Sequence, residues 1–101
     1  MNVMPREVEL VIEEQPEVMH AFVAGVAHTE RGQDVAAAVV LRPGMSVDPE
    51  EILERLRGDL SSYKVPRHVA IYDSPEDLPW LESGKVDLRK LVGMLAERYA
   101  P

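Results

Sequence analysis

Ser83-Gly84-Lys85 holds the side chain of this sequence best suited to chemistry, a lysine directly after a glycine. Lysine carries a compact positive charge on a long stem, and glycine lets the backbone turn where other residues cannot. Pro75 and Pro79 lie behind it and a helix-like stretch begins near Asp87, so the lysine sits on a loop that could deliver its charge to an anion. A phosphate-binding P-loop is excluded. That motif needs glycine at position 79, where Pro79 stands, and Ser or Thr after the lysine, where Val86 stands. Spacing alone leaves two readings open: an exposed loop lysine, or a charge brought to a substrate.

The other candidates are weaker. His20, His28 and His68 are scattered, without the i, i+4 spacing of a helical metal site, so no metal site is expected. Glu13-Glu14 and Glu50-Glu51 are neighbours on helix-like segments and point different ways, which makes them solvated faces or caps rather than acid/base pairs. No Gly-x-Ser-x-Gly elbow is present to support a serine hydrolase.

These residues are carried by an interleaved set of elements. Pro5 suits a first helical position, Glu7 and Glu9 favour the positive end of the helix dipole, and Val8, Val11 and Ile12 form an apolar stripe. Pro16 stops that helix near Glu14 or Gln15. Apolar, β-prone runs follow from Val18 to Val26 and from Val35 to Leu41, linked through Gly32 as a hairpin with a longer loop. Asp48-Pro49-Glu50-Glu51 starts a second helix, with Asp48 as cap and Glu51 reaching back. Ile52, Leu53, Leu56 and Leu60 share its buried face. A connector from Ser61 to Pro66 leads to a strand from His68 to Tyr72, then to an irregular stretch from Asp73 to Gly84 that contains Trp80. The last helix runs from about Asp87, with Leu88, Leu91, Val92 and Leu95 inward. The expected fold is α+β: a small three-stranded sheet including a hairpin, covered by helices, in the order αββαβα.

A chain of 101 residues fits one small domain, too small for a deep pocket holding several substrates. Its net charge of −7 disfavours non-specific binding to nucleic acid. The absence of cysteine excludes disulfides and thiolate metal sites. No apolar run approaches the roughly 20 residues of a membrane span. The N-terminus lacks a charged-then-apolar signal region, so a cytoplasmic location is expected.

Three segments, in order, resemble one family. Asn2-Val3-Met4-Pro5-Arg6-Glu7-Val8-Glu9 is similar to the end of the hinge motif of acyl-CoA synthetases, and Tyr63-Lys64-Val65-Pro66-Arg67 to their Y-K-x-P-R connector. Leu78-Pro79 with Ser83-Gly84-Lys85-Val86 is similar to their terminal L-P-x-x-x-S-G-K-V motif. The hairpin runs 23–26 and 32–40 also match, with Gln33 where the family usually has Glu, and residues 73–79 are slightly longer than the family's segment. The likeness covers almost the whole chain. It implies the C-terminal lid domain of an AMP-forming, adenylate-forming ligase over residues 1–101, starting inside the hinge motif.

The resemblance implies that Lys85 is the adenylation lysine, presented by Ser83 and Gly84, acting when a carboxylate attacks the α-phosphorus of ATP. It implies a second pose, in which the acyl group passes to the thiol of CoA. There Asn2, Val3 and Met4 would lie near the pantetheine tunnel, with Tyr63, Lys64 and Arg67 touching CoA phosphates or adenine. ATP and CoA would be substrates, with Mg2+ in the full-length enzyme, and no cofactor is expected on the chain itself. The implied partner is a large N-terminal adenylation domain, so the chain alone should be inactive. The motif N-V-M-P-R-E-V-E is closer to CoA ligases than to peptide-synthetase adenylation domains, whose lid is one alternative. A free-standing α+β binding or regulatory module is the other.

Overall fold

The computed structural model describes residues 5–28, 32–61 and 64–99. Helix α1 (Pro5–Glu13) is followed by strands β1 (Val18–His28) and β2 (Gly32–Leu41), then helix α2 (Pro49–Asp59) and strand β3 (His68–Tyr72). A 3-10 turn (Pro75–Asp77) and helix α3 (Leu88–Arg98) complete the chain order, which is the expected αββαβα. The sheet is ordered β1-β2-β3. β1 pairs antiparallel with β2, from Val18 opposite Leu41 to His28 opposite Gly32. β2 pairs parallel with β3, from Ala36 opposite His68 to Val40 opposite Tyr72.

The central place of β2 follows from its composition. Ala36 through Leu41 are all buried, because both faces of the sheet are covered and a strand between two layers has no polar side. Ala37, Val39 and Leu41 meet Val8 and Ile12 of α1 and Ile52, Leu53 and Leu56 of α2. Ala36, Ala38 and Val40 face Leu78 and the Leu91 and Leu95 side chains of α3. A register shift between Val18 and His20 places Val18 in the same cluster as Ala21 and Val23. One extra residue reverses the in–out alternation there.

Four expectations need correction. The strands of the hairpin run further than the apolar runs, to His28 and from Gly32. Backbone pairing is indifferent to side-chain polarity, and the ladder continues where the apolar signal has ended. Asp48 makes no side-chain capping bond, and Glu51 turns forward to Arg55 at 3.2 Å instead of reaching back. Leu88 is 55% exposed although it lies on the stripe of α3, because periodicity assigns a face but not a neighbour opposite it. Glu13 is no solvated face. Its Oε2 accepts from the Ala21 N–H at 3.1 Å, as Glu9 Oε2 accepts from Val23 at 2.8 Å. Both N–H groups lie on β1, at the edge of the sheet, and the two glutamates occupy donors that an edge strand would otherwise offer to another chain.

Arg55 ties α2 to the turn after α1. Its guanidinium grips Glu17 through two bonds of 2.8 and 3.2 Å and reaches Gln15 Oε1 at 3.1 Å, while Gln15 Nε2 donates to the Ile52 carbonyl. The Arg55 hydrogen bond holds the Glu17 carboxyl below the usual glutamate range. A depressed folded-state pKa stabilises the fold above the unfolded value, about 4.3, and the contribution disappears as pH falls through the folded value. Thermal unfolding followed by circular dichroism should therefore show the parent losing Tm on acidification below about pH 4. Glu17→Gln should start lower at pH 7 and lose less over the same interval. Parallel Tm curves would contradict this.

Candidate functional site: a lysine on an anchored hairpin

The stretch expected to be irregular folds into a small hairpin over residues 79–87. Pro79 O accepts from Asp87 N at 2.7 Å, Leu81 N donates to Lys85 O at 2.8 Å, and Leu81 O accepts from Gly84 N at 3.0 Å. Trp80 and Val86 face each other as an antiparallel bridge. Glu82, Ser83 and Gly84 form a three-residue loop whose last position needs a left-handed residue. Gly84 has φ +90, and a Cβ there would meet nothing within 4 Å. Glycine is required by backbone conformation, not by space. It shapes the turn before the lysine rather than loosening it.

Both ends of the hairpin run into the core. Leu78 is buried before it, and Val86 packs into the same cluster after it. Asp87 then caps α3, its side chain accepting from Lys90 N at 3.2 Å. Lys85 is exposed, and its ammonium makes no ion pair among the described residues. A charge that has kept its hydration and has no internal partner is available to an anion from outside.

The Trp80 side chain fastens this hairpin to β1. The indole N–H donates to the Pro75 carbonyl at 2.6 Å. The ring meets Phe22 edge-on at 5.8 Å and His20 at 6.3 Å, and the latter two lie 6.2 Å apart. The sequence marked Trp80 only as the sole tryptophan of an irregular stretch. The β1 alternation that places His20 and Phe22 on one face was the signal available for finding its partners.

Lys64 and Arg67 are not brought to Lys85. Lys64 Nζ lies 2.5 Å from Glu7 Oε1 of α1, whose buried side chains cover the face of the sheet opposite to α3 and Val86. Arg67 N donates to Val35 O at 2.8 Å, which fixes the connector to β2. Its Nε lies 3.5 Å from Asp34 Oδ1, and the guanidinium side chain stays 54% exposed. Asp34, to which the sequence assigned no role, is buried and also faces His68 Nε2 at 3.4 Å. His68 in turn stacks on Tyr99 at 4.2 Å, and burial raises the Tyr99 pKa. Asn2, Val3, Met4 and Tyr63 lie outside the described residues. Among the described residues no three His, Asp or Glu side chains gather into a metal site. No helix among them is long and apolar enough to cross a membrane.

Fold and site together define a small α+β domain that offers one cation on a tight hairpin. The pattern described as AMP-binding enzyme C-terminal domain matches residues 7–85, and the chain belongs to that family. It is 38% identical over 98 residues to a long-chain-fatty-acid–CoA ligase of Bacillus subtilis, covering 97% of this chain and 17% of the relative. Apo MatB from Rhodopseudomonas palustris superposes with a TM-score of 0.88 at 34% identity, over 98% of this chain and 19% of that one. The amide bond synthetase McbA from Marinactinospora thermotolerans gives 0.81 at 38% identity, over 92% and 18%. The chain therefore spans less than a fifth of the length of these proteins.

Proposed function

We propose that this chain is the lysine-bearing lid of an AMP-forming acyl-CoA ligase, working on a large adenylation domain. The observation that carries the proposal is Lys85: an exposed ammonium without an ion-pair partner among the described residues, on a hairpin pinned at both ends to the core. When a carboxylate attacks the α-phosphorus of ATP, two anions must approach. An ammonium between them holds them in line and balances the charge that builds up. Lysine is a cation at neutral pH, so its part is an electrostatic clamp and not a base. Pyrophosphate leaves and the acyl-AMP remains; the CoA thiol then takes the acyl group as a thioester and AMP leaves.

ATP and CoA are substrates in this scheme. Magnesium would accompany ATP in the full-length enzyme, held mainly by the phosphates with one or two carboxylates. Lys64 and Arg67, attached away from Lys85, are assigned to the CoA pose, Arg67 by its two-pronged contact with a phosphate. Asn2, Val3, Met4 and Tyr63 are assigned to that pose on the family resemblance. The names of the relatives support a fatty or other carboxylic acid as the acyl donor and CoA as the acceptor.

The test separates the chain from its partner. Alone, it should unfold cooperatively and show no ATP–pyrophosphate exchange with any of a panel of acids. Grafted onto the adenylation domain of the Bacillus ligase in place of that enzyme's own C-terminal part, it should support exchange. Exchange by the 101-residue chain alone would overturn the lid assignment.

A further inference from the structure

We propose that Trp80 is the positioning residue for Lys85, holding the lysine hairpin against the sheet so that the ammonium arrives in one place. The inference rests on the lid assignment and names the residue that makes a loop lysine a placed one. Three observations support it. First, Trp80 is the hairpin residue paired with Val86, next to Lys85 in the chain, so a displacement of its backbone is shared by the lysine. Second, the indole is bonded at two levels. Its N–H donates to Pro75 O, which ties the hairpin to the 3-10 turn before it, and its ring rests edge-on against Phe22 and His20 of β1. An indole pairs a large apolar ring with one directional donor, so it can fix both the distance and the rotation of what it carries.

Third, the other side chains at the tip are exposed. Leu81 is 47% exposed and Leu88 55% exposed, and Glu82, Ser83 and Gly84 are exposed as well. Between buried Leu78 and partly buried Val86, Trp80 sets its ring against Phe22 and His20 of the sheet. Effective positioning of a charge at a reacting phosphate demands sub-ångström placement, and a hairpin held only by its ends could not supply it. The ring is itself 39% exposed. Its replacement therefore loosens the hairpin without opening a cavity in the core.

Trp80→Ala and Trp80→Phe separate the ring from the donor, since phenylalanine keeps an aromatic face and loses the N–H. In the 15N-labelled chain, backbone order parameters at residues 82–85 should match those of the sheet, about 0.85, in the parent. They should fall below about 0.6 in Trp80→Ala and lie between in Trp80→Phe, with values for β2 unchanged. In the grafted ligase, Trp80→Ala should lower kcat for acyl-AMP formation about tenfold with the KM for ATP held, and Trp80→Phe should recover part of it. Thioester formation from supplied acyl-AMP should be unaffected. A hairpin equally ordered in parent and Trp80→Ala, or a parent hairpin already below 0.6, would overturn the proposal. So would an equal fall in both half-reactions, the mark of a merely structural role. Should Trp80→Ala not fold, the parent values and Trp80→Phe decide the same question. The order parameters make no reference to chemistry. A failed anchor therefore shows in them, whereas a failed lid assignment shows in Lys85→Ala leaving adenylation intact.

Discussion

Replacing Lys85 with alanine in the grafted ligase is expected to slow acyl-AMP formation by about 100- to 1,000-fold, the usual loss when one preorganised charge or donor is removed from a developing anion. The size follows from where the charge acts. In water an ammonium and a phosphate attract by only about 1 kcal/mol at 4 Å. In a closed site from which water is excluded, the same pair is worth several times more. ATP–pyrophosphate exchange reads this step directly. Lys85→Arg should recover only part of the rate, since a planar fork cannot occupy the place of a compact ammonium. Stability should hardly change: Lys85 is exposed and unpaired among the described residues, and such surface substitutions stay within about 0.5 kcal/mol. A loss of rate without a loss of Tm would place the effect in the chemistry and not in the fold.

Arg67→Ala is expected to raise the KM for CoA by about ten- to 150-fold, the equivalent of one charge-assisted hydrogen bond of roughly 1.5–3 kcal/mol. The KM values for ATP and acid should hold, because Arg67 and Lys85 are attached to different parts of the fold. Asp34 adds a complication and a control. Its carboxylate is buried and has the Arg67 Nε at 3.5 Å and His68 Nε2 at 3.4 Å. Removing the arginine takes one cation from that acid, so a modest drop in Tm should accompany the kinetic effect. Arg67→Lys separates the two contributions. An ammonium can still face Asp34 but cannot make the two-pronged phosphate contact, so Tm should return further than the KM for CoA does. Raised salt should weaken CoA binding in the parent more than in Arg67→Ala, because screening acts on the pair being removed. An unchanged KM for CoA would reduce residues 64–67 to a structural link.

The sequence was informative where one local rule decided the outcome. Val35 to Leu41 was legible as a strand from its apolar, β-prone run, though not that both its faces are covered, and the bounds of β3, from His68 to Tyr72, were legible as well. Ser83-Gly84-Lys85 was legible as a motif, and its hairpin was not. Its defining bonds join Pro79 to Asp87 and Leu81 to Lys85, and two prolines within five residues read as disorder of direction rather than as a turn. What depended on partners distant in the chain stayed hidden. Glu9 was read as a helix-dipole acid and Glu13 as a solvated face or cap, because nothing local says that Val23 and Ala21 sit on an edge strand beside them. Trp80 looked incidental because its partners Phe22 and His20 lie some sixty residues earlier and pattern reading does not join such distances. Asp34 was read only as part of the link before the second β-prone run, although it is buried and faces Arg67 and His68.

One measurement bears most directly on the lid assignment. Chemically prepared acyl-AMP and CoA are supplied to the grafted ligase carrying Lys85→Ala, and thioester is followed in parallel with ATP–pyrophosphate exchange. A lysine that serves only the adenylating pose should leave thioester formation near the parent's rate while exchange falls by about 100-fold or more. Equal losses in the two half-reactions, or exchange that survives without the lysine, would contradict it.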